Sequence, residues 1–377
     1  MKKILGLVIC SLMFIFVGCS SLFNNEIFNT SYDVTININD FNDLLAACVQ
    51  KVEKSVVGII NRGSVSLFGS NVSTGSGVVF QGRARMKNGT WINDITLTKD
   101  SIDVDYYEYM VVTNKHVVEG NNRTYKVYID DEELSANLVR RDDIYDLAVL
   151  KFNDGRYIPL IEFGDSDDMK SGNFVLAIGS PGGLELYNSV SFGVVSYPKR
   201  YLHDEDSRTT VEWIQHSAPI NPGNSGGALI NIKGELIGIN TMKYAIEYAK
   251  DEMIVYEGLG FAIPSNVVKR EVSYLANGLL PPRIVLGLTA MRLSVAKEEE
   301  NINIDTLLKS GIYISEVSLS SLAHSKIFVG DIIISANGVE INQVYILQCM
   351  LRDYKPGDNI IFKLERNKII VEVTITL

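Results

Sequence analysis

The stretch "NPGNSGG", residues 221–227, sets Ser225 between glycines as Gly223-x-Ser225-x-Gly227. A serine hydroxyl can attack a carbonyl once a base has taken its proton. Three local structures carry such a pattern. One is a strained strand-to-helix turn that exposes the serine. Another is a loop whose adjacent backbone N–H groups form an oxyanion hole. The third is an ordinary turn in which glycine supplies positive φ angles. A base is needed for either chemical role, and the chain has four histidines, His116, His203, His216 and His324.

The order of these residues along the chain discriminates. In α/β-hydrolases the order is serine, acid, histidine, and a helix follows the serine. Here only His324 follows Ser225, far downstream. Next to the serine comes "GALINIKGELIGIN", two apolar runs around Lys233-Gly234, which predicts a hairpin and excludes the strand-to-helix turn. The other order, histidine, aspartate, serine, is met. His116 closes an apolar run in "VVTNKHVVEG" and Asp146 opens another in "YDLAVLKF", both suitable rigid mounts, and Ser225 follows on what reads as a second β unit.

These mounts need a scaffold. From Val56 the chain is a succession of short β runs separated by turn signals: "VVGII", "GSGVVF", "YMVVTN", "YKVYI", "LAVLKF", "FVLAIG", "VSFGVVS", "VEWIQ", "ALINI", "ELIGIN" and "LGFAI". Without helices between them they predict an all-β barrel or sandwich. Upstream, "VTININ" alternates Val34, Ile36 and Ile38 as a strand would, and Leu44, Leu45, Cys48, Val49 and Val52 recur at helical spacing. The longest irregular insert runs from about Gln81 to Asp105 and reads as a functional or mobile loop. The stretch "PSNVVKREVSYLANG" predicts a helix with Ser265 as N-cap and Gly278 as stop. "LLPPR" then makes a stiff boundary. Beyond it, residues 285–377 predict a small second domain, with strands near "LGLTAM", "IYISEV", "DIIISANG", "NIIFKLE" and "IIVEVTITL" and a helix in "NQVYILQCMLRD".

Together, "TNKHVV", "YDLAVLK", "INPGNSGGALIN" and "LGFAIPS" resemble the HtrA (Deg) family of trypsin-fold serine proteases, over roughly residues 40 to 377. "LGL" and "GIYISEVSLSSLAHSKIFVGDIIISANGVEI" resemble the PDZ domain that follows the protease in that family. The resemblance implies an all-β, chymotrypsin-like double β-barrel protease domain followed by a small α+β PDZ domain. It implies Ser225 as nucleophile, His116 as base and Asp146 as the residue that fixes the imidazole. Gly223 and Ser225 would supply oxyanion-hole N–H groups with Asn224 shaping the loop. Ile220 matches a position lining the primary specificity pocket, implying cleavage after small or medium apolar residues. The opposite wall, near Met242 to Tyr244, departs from the family pattern, as does His216-Ser217-Ala218-Pro219, where Thr-Asp-Ala-Ala is common. His216 lacks a carboxylate at a comparable mount, so His116 is the expected base. Leu286, Gly287 and Leu288 match the loop that captures a peptide's C-terminal carboxylate. Homotrimeric assembly is implied by the family alone.

The first residues, "MKKILGLVICSLMFIFVGCSS", follow Lys2 and Lys3 with an apolar run too short to cross a bilayer comfortably. Its end, Phe16-Val17-Gly18-Cys19, resembles a lipobox, with Phe16 where leucine is usual. Cys19 would then be the lipid-bearing first residue, holding the protein to the cell envelope on its periplasmic or outer side. The expected organisation is 1–19 signal peptide and lipobox, 20–39 tether, 40–278 protease domain, 279–284 linker and 285–377 PDZ domain. With 377 residues, of which 46% are hydrophobic and 21% charged, the chain can bury more than one core. Its net charge of −10 argues against a nucleic-acid partner. Cys48 and Cys349 read as small buried apolar residues and not as a disulfide. No side-chain cluster has metal-ligand spacing, so neither metal nor cofactor is expected.

The function so implied is a serine endopeptidase acting on unfolded or damaged envelope proteins, its PDZ domain binding peptide C-termini. The alternative is a chaperone or peptide-binding scaffold whose protease site is held dormant by a disordered loop such as the 81–105 insert.

Overall fold

The structure, a computed structural model, describes residues 38–66, 69–181, 183–204, 209–241, 246–249, 252–255, 258–299 and 304–377. The first element is helix α1 (Ile38–Val52), so Ile38 opens a helix and is not part of the strand expected from its alternation; Val34 and Ile36 lie outside the described residues. Leu45, Cys48, Val49 and Val52, at helical spacing, pack into an apolar cluster.

Two antiparallel barrels follow. β1 (Val56–Ser66), β2 (Gly69–Met86), β3 (Trp91–Ile92), β4 (Val104–Asn114), β5 (Thr124–Ile129), β6 (Glu132–Asp142) and β7 (Leu147–Asp154) form one sheet in the order β1-β5-β6-β7-β4-β2-β3, and a β1–β2 pairing closes it. The second barrel is closed by β8 (Phe174–Gly179), β9 (Ser189–Asp204), β10 (Thr209–His216), β11 (Ala228–Asn231), β12 (Leu236–Thr241) and β15 (Gly260–Pro264), in the order β10-β15-β12-β11-β8-β9. A separate hairpin joins β13 (Ile246–Ala249) to β14 (Glu252–Val255), and helix α2 (Ser265–Leu275) follows β15.

The continuous apolar runs are explained by burial on both faces. In β7, Ala148 and Leu150 point into the first barrel, while Leu147 and Val149 point into a second cluster shared with Leu176, Ile178 and Trp213 of the other barrel. The same alternation splits Val56 from Val57 and Val111 from Val112. The first four residues of β7 and all of β12 have no solvent face, so both read as continuous apolar runs and not as alternation.

The 81–105 insert is not an irregular loop. β2 runs to Met86, paired with β4 out to Val104, with β3 and a short 3-10 turn at Ile95–Thr98 covering the end. The support that a dormant-site reading drew from a disordered insert is thereby removed. Ser265 is not an N-cap either. Its hydroxyl donates to the Gly164 carbonyl 2.7 Å away and makes no cap bond.

The C-terminal part is a sheet of β16 (Leu288–Arg292), β17 (Ile312–Val317), β18 (Ile332–Ala336), β19 (Val339–Glu340), β20 (Asn359–Arg366) and β21 (Ile369–Thr376). It carries a short helix α3 (Leu293–Ala296) and helix α4 (Val344–Leu351). It has its own apolar core around Ile312, Ile333, Phe362 and Leu364. Among the described residues no helix is long and apolar enough to cross a membrane.

Candidate functional site

His116 opens a 3-10 turn, His116–Val118, just after β4, and Asp146 stands immediately before β7, the strand paired with β4. The register therefore sets the two residues side by side. Asp146 grips His116 twice: Oδ1 accepts the His116 backbone N–H at 3.0 Å and Oδ2 meets the ring Nδ1 at 2.6 Å. An ionised carboxylate only accepts, so Nδ1 donates in this pair, and in the neutral imidazole Nε2 is then the acceptor. The carboxylate is almost wholly buried while the imidazole is about one-third exposed. The Asp146 carbonyl is held by the Lys115 N–H at 2.9 Å and by Asn114 Nδ2 at 3.1 Å. Asn61 Nδ2 ties the carbonyls of Val117 and Glu119 at 3.0 and 2.9 Å, fixing the turn on which the histidine sits.

The serine loop is delivered from the second barrel, just before β11, and the predicted hairpin follows it, β11 pairing with β12 around Gly234. The two parts interlock through backbone. The Ser76 N–H donates to the Ser225 carbonyl at 2.9 Å, and Ser76 Oγ donates to the Gly223 carbonyl at 2.7 Å. A methyl group added at Gly75 would lie 2.6 Å from the Val117 side chain and 3.3 Å from the Ser225 carbonyl, so one glycine spaces the histidine turn from the serine loop. Gly226 N–H donates to the Asn240 carbonyl, and Gly226 has φ +86, a conformation that favours glycine. Gly223 has φ +104, and among the described residues its N–H donates to no acceptor. The Asn224 backbone N–H is committed to the Asn221 carbonyl at 2.9 Å, a contact that shapes the loop. Ser225 is buried to 6% exposure.

Ile220 is buried in the core of the second barrel with Ala218, Leu229 and Ile237; the wall expected at Met242 to Tyr244 lies outside the described residues. His216 belongs to β10 of the second barrel. It is fully buried at the end of β10 with its ring against Gly260, and burial pushes it down to about 4, against a smaller pull from the Ala218 and Phe261 backbone and the Asn240 side chain. Cys19 lies outside the described residues, and Cys48 and Cys349 are free and buried. Among the described residues no group of His, Cys, Asp and Glu could hold a metal ion.

A second site lies in the C-terminal part. Leu286, Gly287 and Leu288 edge a cavity of about 260 Å³ between β16 and α4, lined also by Ala290, Ile314, Val344 and Leu347. Gly287 has φ +69, and its carbonyl accepts the Ser318 N–H at 2.9 Å. An extended segment could add to the edge of β16 there and bury one apolar side chain. Sequence reasoning singled out Ser225, His116, Asp146 and this loop. It missed Asn61, Ser76, Gly75 and Thr113, whose Oγ1 donates to the Ser76 carbonyl at 2.6 Å.

Comparison with known proteins matches both domains. Residues 98–239 match a trypsin-like peptidase domain and residues 287–362 a PDZ domain. The serine protease Do-like HtrA of Bacillus subtilis is 35% identical over 341 residues, covering 85% of this chain and 69% of that protein. A probable periplasmic serine endoprotease, DegP-like, of Chlamydia trachomatis is 34% identical over 71% of this chain and 51% of its own length. Among solved structures, the HtrA-type protease AlgW with a tripeptide superposes with a TM-score of 0.63 at 27% identity, covering 88% of this chain and 95% of that one.

Proposed function

We propose, from the premise that this chain belongs to the HtrA family of trypsin-like serine endopeptidases with a PDZ domain, that its peptide-bond chemistry is performed by Ser225, His116 and Asp146. Ser225 Oγ attacks the scissile carbonyl as His116 Nε2 takes its proton; the carbonyl π pair moves to oxygen, and the oxyanion is met by the Gly223 and Ser225 N–H groups. His116 then gives the proton to the leaving amine, and water repeats the sequence to release the acyl group. Asp146 holds the imidazole in the tautomer that leaves Nε2 open. The observation that carries this reading is the double grip of Asp146 on His116.

Digestion of casein by the native protein and by Ser225→Ala tests it. Loss on the order of 10⁴-fold or more is expected, with a serine-directed phosphonate labelling Ser225 in the native protein; equal digestion by the two, or an adduct elsewhere, overturns the assignment. Ile220 is read as a wall of an apolar specificity pocket. The groove beside Leu286-Gly287-Leu288 takes peptide C-termini, and the substrates are unfolded or damaged proteins of the cell envelope. The periplasmic description of the Chlamydia relative supports that location. Cys19 is the lipid anchor, and Cys19→Ala should release the protein from membranes on fractionation. The organisation 1–19, 20–39, 40–278, 279–284 and 285–377 and a homotrimeric assembly belong to the same reading.

A further inference from the structure

A cavity of about 130 Å³ lies where helix α2, the two prolines after it and the turn that ends helix α4 come together. Its charged walls are Arg270 from α2 and Arg352, Asp353 and Lys355 from the turn. Asp353 is exposed and pairs with Arg270 Nη1. The rest of the Arg270 guanidinium is engaged inward, Nε with the buried Glu271 carboxylate at 3.2 Å and Nη2 with the Tyr145 hydroxyl at 3.1 Å. Arg352 Nη1 donates to a neutral acceptor, the Thr210 carbonyl, at 2.7 Å. Lys355 lends its backbone N–H to Asp358 Oδ2 at 2.7 Å. Among the described residues, neither the Arg352 nor the Lys355 side chain is paired with a carboxylate.

Size and charge together say what enters. Three cations face one carboxylate here, in a chain whose net charge is −10. Like charges held this close repel, and a counter-ion relieves them. The volume is well below the roughly 300–1,000 Å³ of a pocket for a drug-sized ligand, so the occupant is a group of a few atoms. A phosphate group matches in size and sign, and it suits both donor types present, the planar fork of arginine and the point charge of lysine. The position adds a consequence. Helix α2 is packed into the apolar cluster between the barrels through Val267, Val268, Val272 and Leu275, whereas the turn belongs to the C-terminal domain. Both walls face each other only while α4 is seated on the Thr210 carbonyl, to which Cys349 Sγ also donates, at 3.3 Å.

We propose that this cavity is a phosphate-binding site that ties the turn after α4 to helix α2. The phosphate oxygens take the Lys355 ammonium and the N–H groups that Arg352 and Arg270 have left, displacing Asp353 from Arg270. That displacement is cheap, because the Asp353 carboxylate is exposed and exposed ion pairs contribute little. Neither the triad nor the peptide groove is needed for this reading. A ligand that binds only the seated arrangement must favour it by mass action. Two sources carry such a group, the free ion and a phospholipid headgroup, and vesicles separate them.

The test uses the full chain, with inorganic phosphate titrated by calorimetry to about 100 mM, where a site with a Kd near 1 mM is saturated. Potassium chloride at matched ionic strength is the control. At ten times the measured Kd, phosphate should slow iodoacetamide alkylation of Cys349 by about 11-fold, since reaction needs α4 to lift. Cys48, beneath α1, should be unaffected. Two exposed positions give variants of opposite sign. Lys355→Gln should weaken binding by about 5- to 10-fold, and Asp353→Asn, which removes the competing carboxylate, should tighten it by up to about 5-fold. Slowing by vesicles of phosphatidylcholine with phosphatidylglycerol, and not by free phosphate, assigns the site to a lipid headgroup. No slowing by either, equal binding by native protein and Lys355→Gln, or equal slowing at both cysteines overturns the proposal. Binding that leaves Cys349 as reactive as before overturns the tie between the two parts.

Discussion

Asp146 works from a left-handed backbone conformation, φ +54, that few non-glycine residues adopt but that aspartate and asparagine tolerate. Two demands therefore meet in one residue, and substitutions can separate them. Asp146→Asn keeps the conformation and misplaces the proton on His116; turnover of a peptide substrate should drop on the order of 10⁴-fold with thermal stability nearly unchanged. Asp146→Ala should lose as much activity and, in addition, about 1–3 kcal/mol of stability from the strained backbone, read as a lower midpoint in urea. His216 gives a residue-scale prediction about pH. Buried and pushed down to about 4, it refuses a proton that the unfolded chain accepts near 6.5. Between those values the unfolded state binds more protons, so stability falls as pH drops from about 6.5 to about 4, by on the order of 3 kcal/mol, and this contribution levels off below. His216→Gln lacks the group, and urea unfolding at pH 7 and pH 4.5 should show a smaller loss in the variant; equal losses would exclude His216 as the cause.

At the scale of elements, the serine loop is held against the first barrel at a spacing only glycine permits. A methyl group on Gly226 would lie 2.1 Å from the Ser76 carbonyl and 2.3 Å from Thr113 Oγ1, which is hydrogen-bonded to that carbonyl, at φ +86. Gly226→Ala should therefore push Ser225 away from His116, lowering kcat by about 100-fold or more for a displacement near 1 Å, with a smaller effect on KM; full activity in this variant would show that the loop is not clamped by Ser76. The motifs around Ser225, His116 and Asp146 were legible because their chemistry needs particular residue types in a particular order. The clamp was not. Asn61, Ser76 and Thr113 act by hydrogen bonds to carbonyls remote in sequence, and nothing local marks a strand serine as one of them. The 81–105 hairpin was illegible for a different reason: its inward positions are Ala84 and Gly82, the latter with the Tyr109 ring where a side chain would go, so the apolar alternation of a strand is weak. β6 was overlooked likewise, its residues being mostly outward and polar. The paired strands β4 and β7, apolar on both faces, were plain in the sequence and are what mount the site.

At the scale of the whole molecule, helix α4, one wall of the peptide groove, is seated on β9 and β10 of the second barrel. Tyr345 stacks on Tyr201 with ring centres 5.2 Å apart. Arg352 Nη1 and Cys349 Sγ both donate to the Thr210 carbonyl, at 2.7 and 3.3 Å. Seating buries the Cys349 thiol and pushes it up to about 11. The thiolate is the reactive form, so iodoacetamide at pH 8 should alkylate Cys349 on the order of 100-fold more slowly than an exposed cysteine. This makes one buried atom a gauge of how firmly the two parts hold together. Tyr345→Ala removes a ring pair worth about 0.5–1.5 kcal/mol, so the undocked fraction should rise roughly 2- to 13-fold and Cys349 alkylation with it. Cys48, which donates to the Ile232 carbonyl beneath α1, has no part in that contact and should react at an unchanged rate in the variant. Mass mapping of the two cysteines in native protein and Tyr345→Ala separates the outcomes: acceleration at Cys349 alone shows that α4 lifts off β10, acceleration at both shows general loosening of the fold, and a native Cys349 as reactive as an exposed thiol shows that α4 is not seated there in solution.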